Sequence, residues 1–278
     1  MLVDAHMHVP RLSALKPAWL EWAAGFSRDY PWRDAYDSVG DPVPARIDAL
    51  LESEGVDRAL LFCEYSPRAT GIQAIEDLLP IRDHNPDRFR LVANVNPHVH
   101  HPIRSEVERQ LDLGAVALRI HPVHGGFPPD DPQLRAAYAV CAERGVPVVI
   151  HSGVSVFPGS QSTYGDPELM LDVVEEFGTP NFVFAHGGRG WWYDTAAFLA
   201  LAKPNVWLDL AGLPPRKLPE YYARFDLARL ATRWMFGTDW PGVPGVARNA
   251  RAVASLGLPD DIIDRVLSGN ATKVFPGL

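Results

Sequence analysis

The chain opens Leu2-Val3-Asp4-Ala5-His6-Met7-His8, a short apolar run that stops on two histidines. Residues i and i+2 of an extended segment lie on one face, so both imidazoles can converge on one point. A lone pair of this kind carries little, because polar loop histidines are common. Its weight comes from what recurs downstream. Further β-branched apolar runs occupy residues 59–63, 91–95, 116–120, 146–150, 182–185, 206–210 and 234–236, with the first at 2–5. Amphipathic stretches alternate with them at 44–54, 72–82, 102–113, 131–144, 167–177, 194–202, 218–230 and 246–256. Two closing helices are expected at 260–267 and 270–275.

Strand candidates alternating with helix candidates predict a parallel sheet covered by helices. The strands are almost continuously apolar, as burial on both faces requires. Eight such units in 278 residues predict an α/β fold, a (β/α)8 TIM barrel, as a single domain over residues 1–278. A doubly wound open sheet would usually place a Gly-rich phosphate turn after an early strand, and none is seen. Asp131-Pro132, Asp166-Pro167 and Pro44 mark helix starts. Gly145 and Gly178 mark helix ends. Residues 11–41 are aromatic-rich and lack periodicity. They read as a long insertion after the first strand, with short helical pieces, lying over the barrel mouth. Around Trp19, Trp22 and Trp32 it serves as a lid, an interface, or both.

Composition narrows the function. Hydrophobic residues make up 47% and charged residues 22%, ordinary for a soluble enzyme. The net charge of −8 disfavours nucleic acid, whose phosphates need a basic footprint. No apolar run approaches the ~20 residues that span a bilayer, and no basic-then-apolar leader is present. Cys63 and Cys141 match no zinc spacing and sit in apolar runs, so they read as buried small hydrophobes in a reducing cytoplasm.

The apolar runs repeatedly stop on the same residue types. The fourth ends in Arg119-Ile120-His121, the fifth in His151, the sixth in His186, and Asp239 follows the eighth. In a barrel those positions form the active site. Each alone has a bland reading: a satisfied core histidine for His151 or His186, a turn residue for Asp239. Together, His6, His8, His151 and Asp239 offer three nitrogens and one carboxylate, a first shell for zinc or another divalent ion with a position open for water.

At this point the sequence resembles the amidohydrolase superfamily, specifically the amidohydrolase-2 branch of metal-dependent TIM-barrel hydrolases related to aminocarboxymuconate semialdehyde decarboxylase. The matching stretches are VDAHMH (3–8), PVVIHSG (147–153), FVFAHGG (182–188), MFGTDWP (235–241) and SGNATKVF (268–275). Each is weak alone, but their order and spacing are specific and run through nearly the whole chain. The resemblance implies that His6, His8, His151 and Asp239 are ligands and that His186 is an acid/base beside metal-activated water. Binuclear relatives often carry a carboxylated Lys on the fourth strand. Arg119 stands there instead and cannot form that carbamate, which favours one metal, zinc or manganese. A register shift of one or two would bring His121 into play.

The expected activity is hydrolysis of a small amide, ester or lactone, with His186 and Asp239 moving protons. The competing activity is non-oxidative decarboxylation of an aromatic or unsaturated acid, which would use the same ligands. A third reading, from another class, is a barrel that binds without catalysing. Arg119, His121 and Trp240 are the substrate-binding candidates, Arg119 because a guanidinium fork fits a carboxylate. Arg189 and residues 190–193 are weaker candidates for the pocket wall, and Asp4 for holding a ligand in place. His98, His100 and His101 read as rim polarity, with a second metal as the minor alternative. The partner is a small molecule rather than nucleic acid or membrane, and the resemblance brings a homodimer into consideration.

Overall fold

A computed structural model describes residues 1–26 and 30–278, so residues 27–29 of the insertion lie outside the described residues. The parallel strands are β1 (Val3–Met7), β2 (Arg58–Phe62), β5 (Phe89–Val95), β6 (Ala115–Ile120), β7 (Val148–Gly153), β8 (Phe182–Arg189), β9 (Val206–Asp209) and β10 (Trp234–Met235). They hydrogen-bond in that order, and a separate antiparallel pair, β3 (Glu64–Ser66) and β4 (Gly71–Gln73), follows β2. The sheet curls back on itself. Ala5 N–H donates to the Phe236 carbonyl at 3.0 Å, Asp239 N–H to His6 at 2.9 Å, and His8 N–H to Trp240 at 3.0 Å. The eight strands therefore make the nearly closed (β/α)8 barrel that the alternation predicts.

Strand alternation sorts the core into two layers. Val3, Ala5, Leu60, Phe62, Val92, Ala117, Val149, Val183, Ala185, Trp207 and Met235 pack together inside the barrel. Their neighbours, such as Leu61, Leu91, Leu118, Ile150, Phe184 and Leu208, pack outward under the helices. Ala271, Val274 and Phe275 of the last helix join the inner cluster.

The helix signals hold with local exceptions. Asp131 and Asp166 cap their turns by accepting from Gln133 N–H and Glu168 N–H. Gly145 ends its helix at φ 66°, where an L side chain would be strained. Gly178 takes no such role, because that helix has already ended at Phe177. The stretch expected as one helix at 72–82 opens instead with β4, then a 3-10 turn, then a helix over Leu79–His84. The stretch at 218–230 splits into Leu218–Tyr221 and Leu227–Ala231, with Asp226 capping the second piece. In the insertion, Pro17–Ala24 is helical and Trp32–Ala35 forms a 3-10 turn. Cys63 and Cys141 are buried and unpaired. Among the described residues no helix is long and apolar enough to cross a membrane.

Asp4 locks the seam between the last strand and the first. Its carboxylate accepts from His6 N–H (3.1 Å), Thr238 N–H (3.0 Å) and the Thr238 hydroxyl (2.6 Å). Burial pushes its pKa up to about 7, against the opposing pull of those bonds. Thr238→Val should destabilise the fold by about 2 kcal/mol, because it leaves a buried carboxylate oxygen unpaired. Urea unfolding with an unchanged m-value checks this; a loss below about 0.5 kcal/mol would show that the seam does not need the hydroxyl.

Candidate active site

The interior rows of the barrel carry the site. Two residues beyond an inward apolar side chain the alternation delivers another inward one. Ala117 is thus followed by Arg119, Val149 by His151, Trp207 by Asp209, and Phe62 by Glu64. All four of these polar residues are buried.

Alternation does not explain the other residues. In β1, Val3 and Ala5 face inward, so His6 should face out. The pairing with β2 shifts register between Asp4 and Met7, and Met7 joins the outer layer. Such a bulge re-aims side chains, and His6 lies 4.2 Å from the Phe62 ring centroid. His186 shares the outward parity of Phe182 and Phe184. It reaches the site because its backbone is left-handed, at φ 63°. Asp239 is left-handed too, at φ 66°, and among the described residues these are the only non-glycine positions with positive φ. Such strain persists only where surrounding contacts over-determine it.

The expected ligands converge in part. His6 Nε2 lies 3.3 Å from His8 Nε2. Asp239 Oδ1 lies 3.7 Å from the first and 3.5 Å from the second. His151 stands outside this tight group and lines the same cavity, 4.6 Å from His186 between ring centroids. Neither His151 nitrogen has a hydrogen-bond partner, although the residue is buried. A buried imidazole with two idle nitrogens is costly unless something else meets it.

Hydrogen bonds fix the tautomers of the rings that matter. His6 Nδ1 meets Asp209 Oδ2 at 2.5 Å. A carboxylate only accepts, so Nδ1 carries the proton and Nε2 presents a lone pair beside His8 and Asp239. His186 Nδ1 likewise donates to the Ala211 carbonyl at 2.8 Å, leaving Nε2 as an acceptor. His121 is the reverse. Its Nδ1 accepts from His124 N–H at 3.2 Å, so its Nε2 bears the proton. Burial, reinforced by neighbouring positive groups, holds His8, His121, His124, His151 and His186 well below the usual histidine pKa. All five are neutral at pH 7.

Glu64, His121 and His124 form a second compact group. It suits an ion poorly. The His121 and His124 rings stack at 3.7 Å and 17°, so an ion in the plane of one sits off the plane of the other. The only unprotonated nitrogen of His121 is already in use, and Arg119 donates to Glu64 at 2.8 Å. His98, His100 and His101 join no such group among the described residues.

A cavity of about 220 Å³ lies over these residues, lined by His8, Arg119, His121, His151, His186 and Asp239, with Trp19, Trp22 and Phe157 as its aromatic wall. Arg189 also faces it, its Nη1 4.0 Å from Asp239 Oδ2. Trp240 does not line it. That ring is 1% exposed, bonded to the Tyr30 hydroxyl at 3.2 Å and stacked over Tyr36. It packs the insertion onto the barrel. Nor do residues 190–193 wall the cavity: Trp191 is 73% exposed and Tyr193 stacks on Tyr221. Asp4 bonds the backbone of His6, while the ring is held by Asp209. Asp209, Glu64 and His124 are absent from the sequence-derived set. The first two had a usable signal, an acid two residues beyond an inward apolar residue; His124 lies on a one-turn helix after His121 and had none.

Convergent neutral imidazoles, a carboxylate, an oriented His6 and the idle nitrogens of His151 fit one divalent ion. Fold and site together define a metal-dependent enzyme on a (β/α)8 barrel. The amidohydrolase family profile matches residues 3–277, and the chain belongs to that family. Similar solved structures agree on the fold. A TIM-barrel protein from Bordetella bronchiseptica is 21% identical, with TM-score 0.78 over 98% of this chain and 97% of the other. A 5-carboxyvanillate decarboxylase from Novosphingobium aromaticivorans, complexed with manganese and 4-hydroxy-3-methoxy-5-nitrobenzoic acid, is 16% identical, with TM-score 0.66 over 98% and 95%. A probable 2-pyrone-4,6-dicarboxylic acid hydrolase from Acinetobacter baumannii is 14% identical, with TM-score 0.65 over 98% of each chain. No match is found among curated protein sequences.

Asp209→Asn should weaken divalent-metal affinity about 10- to 100-fold, because it disturbs the tautomer and orientation of His6. Competition with a chromogenic chelator measures this; unchanged affinity would remove Asp209 from the site.

Proposed function

We propose that the chain is a mononuclear metal-dependent hydrolase of a small carboxylated ester, lactone or amide. His6, His8, His151 and Asp239 would hold the ion, zinc or manganese. When bound, such an ion polarises a substrate carbonyl and makes water a stronger acid. The observation that carries the reading is the His186 tautomer. With Nδ1 donating to the Ala211 carbonyl, Nε2 meets the cavity as a proton acceptor. That is the form needed to take a proton from attacking water and return it to a leaving group. Asp239 Oδ2, turned toward Arg189, is a second acceptor.

Two guanidiniums in a small cavity favour a substrate carboxylate. Arg119 commits Nη1 to Glu64, and His121 Nε2–H supplies a neutral donor beside it. Trp19, Trp22 and Phe157 exclude water and favour a flat substrate. The names of two structural relatives specify aromatic or pyrone carboxylic acids, in keeping with this class. Decarboxylation is the second reading, favoured by the same arginines and aromatic wall. It needs a proton donor at the reacting carbon, which neutral His186 does not offer through Nε2.

His186→Asn should keep the metal and lower kcat by about 10²–10⁴. The assay sets lactones and esters, followed by acid release, beside aromatic carboxylates, followed by CO2 release. A variant that lost the metal along with activity would make His186 a ligand. CO2 release without acid release from any ester or lactone would replace hydrolysis with decarboxylation.

A further inference from the structure

A cavity larger than the one holding the histidines lies beside it. About 590 Å³ in volume, it lies between the segment after β9 and the helix Val246–Ala254. Leu213, Val243 and Ala252 contribute its apolar lining, and Arg216, Arg248 and Arg251 its charge. Among the described residues no Asp or Glu lines it, in a chain of net charge −8. Nearly every other described arginine donates to a carboxylate or carbonyl or lies over a ring. The side chains of these three do none of these, and among the described residues only Arg229 shares that condition. Three cations that line one cavity with no described carboxylate among them favour an anionic ligand there.

The wall between this cavity and the catalytic one is thin. Gly212 lines the larger cavity at φ 67°. A Cβ there would approach Asp239 Oδ2 to 3.0 Å and Arg189 Nη1 to 2.8 Å, both on the catalytic side. A Cβ on Gly242 would fall 2.2 Å from the Trp22 ring, which walls the catalytic cavity. Backbone and one indole thus separate the two spaces.

We infer that this second cavity binds a small organic anion, a phosphate ester or carboxylate with an apolar body, on Arg216, Arg248 and Arg251. Guanidiniums fit such oxyanions in a bidentate fashion, and the apolar lining takes the body. Two sources share that chemistry: the far end of a substrate whose reacting group lies beside His186, or a separate molecule.

The test is calorimetric titration of metal-loaded protein with phenyl phosphate at fixed ionic strength. It needs no turnover, so its result stands apart from that of the hydrolase assay. Wild type should bind, and Arg248→Glu/Arg251→Glu should raise Kd about tenfold or more, while Arg229→Glu leaves it unchanged. All three positions are exposed, so folding is not at stake. In the double variant, a KM raised only for substrates carrying a second anion marks the substrate's far end. Unchanged KM with lost phenyl phosphate binding marks a separate ligand. No binding by wild type, or equal binding by the double variant, overturns the assignment.

Discussion

The backbone hydrogen bond from Asp239 N–H to the His6 carbonyl, with those of Ala5 and His8 N–H beside it, brings the last strand of the barrel onto the first. Without closure of β10 on β1, the histidines and the aspartate would sit at opposite edges of an open sheet. Closure sets Asp239 Oδ1 within 3.7 Å of both rings. The buried Asp4–Thr238 pair reinforces the same seam. Fold stability and site geometry therefore rest on shared atoms, and damage to the seam would reach both.

The site is organised by departures from regular strand geometry. His6 enters the barrel through a register shift, and His186 and Asp239 through left-handed backbone. Each departure costs free energy that the surrounding bonds must offset. His186 is tied at Nδ1, Asp239 at its backbone N–H, and His6 at both its ring and its backbone N–H. Burial completes the arrangement by keeping the five shifted imidazoles neutral, so the lone pairs of His8, His151 and His186 stay available beside Arg119 and Arg189.

Much of this was legible in the sequence. Apolar runs and amphipathic stretches, set by burial on two faces and on one, located every barrel strand. The polar stops of those runs named His6, His8, Arg119, His121, His151 and His186, and Asp239 came just beyond the last. What periodicity could not give was direction. Alternation alone turns His6 and His186 the wrong way, and only the three-dimensional pairing reveals the bulge and the positive φ. Asp209 obeys alternation and was open to reading as an inward acid, but it also reads as the ordinary end of a strand. Trp240 was misplaced because a rim aromatic packs the insertion as readily as it walls a pocket.

The proposed site holds a single divalent ion on the barrel seam. The most direct measurement is the metal content per chain of protein purified without added metal and then reconstituted with zinc or manganese. About one equivalent is expected. Two equivalents would mean that Glu64, His121 and His124, or His186, act as ligands after all. None after reconstitution would contradict the site itself.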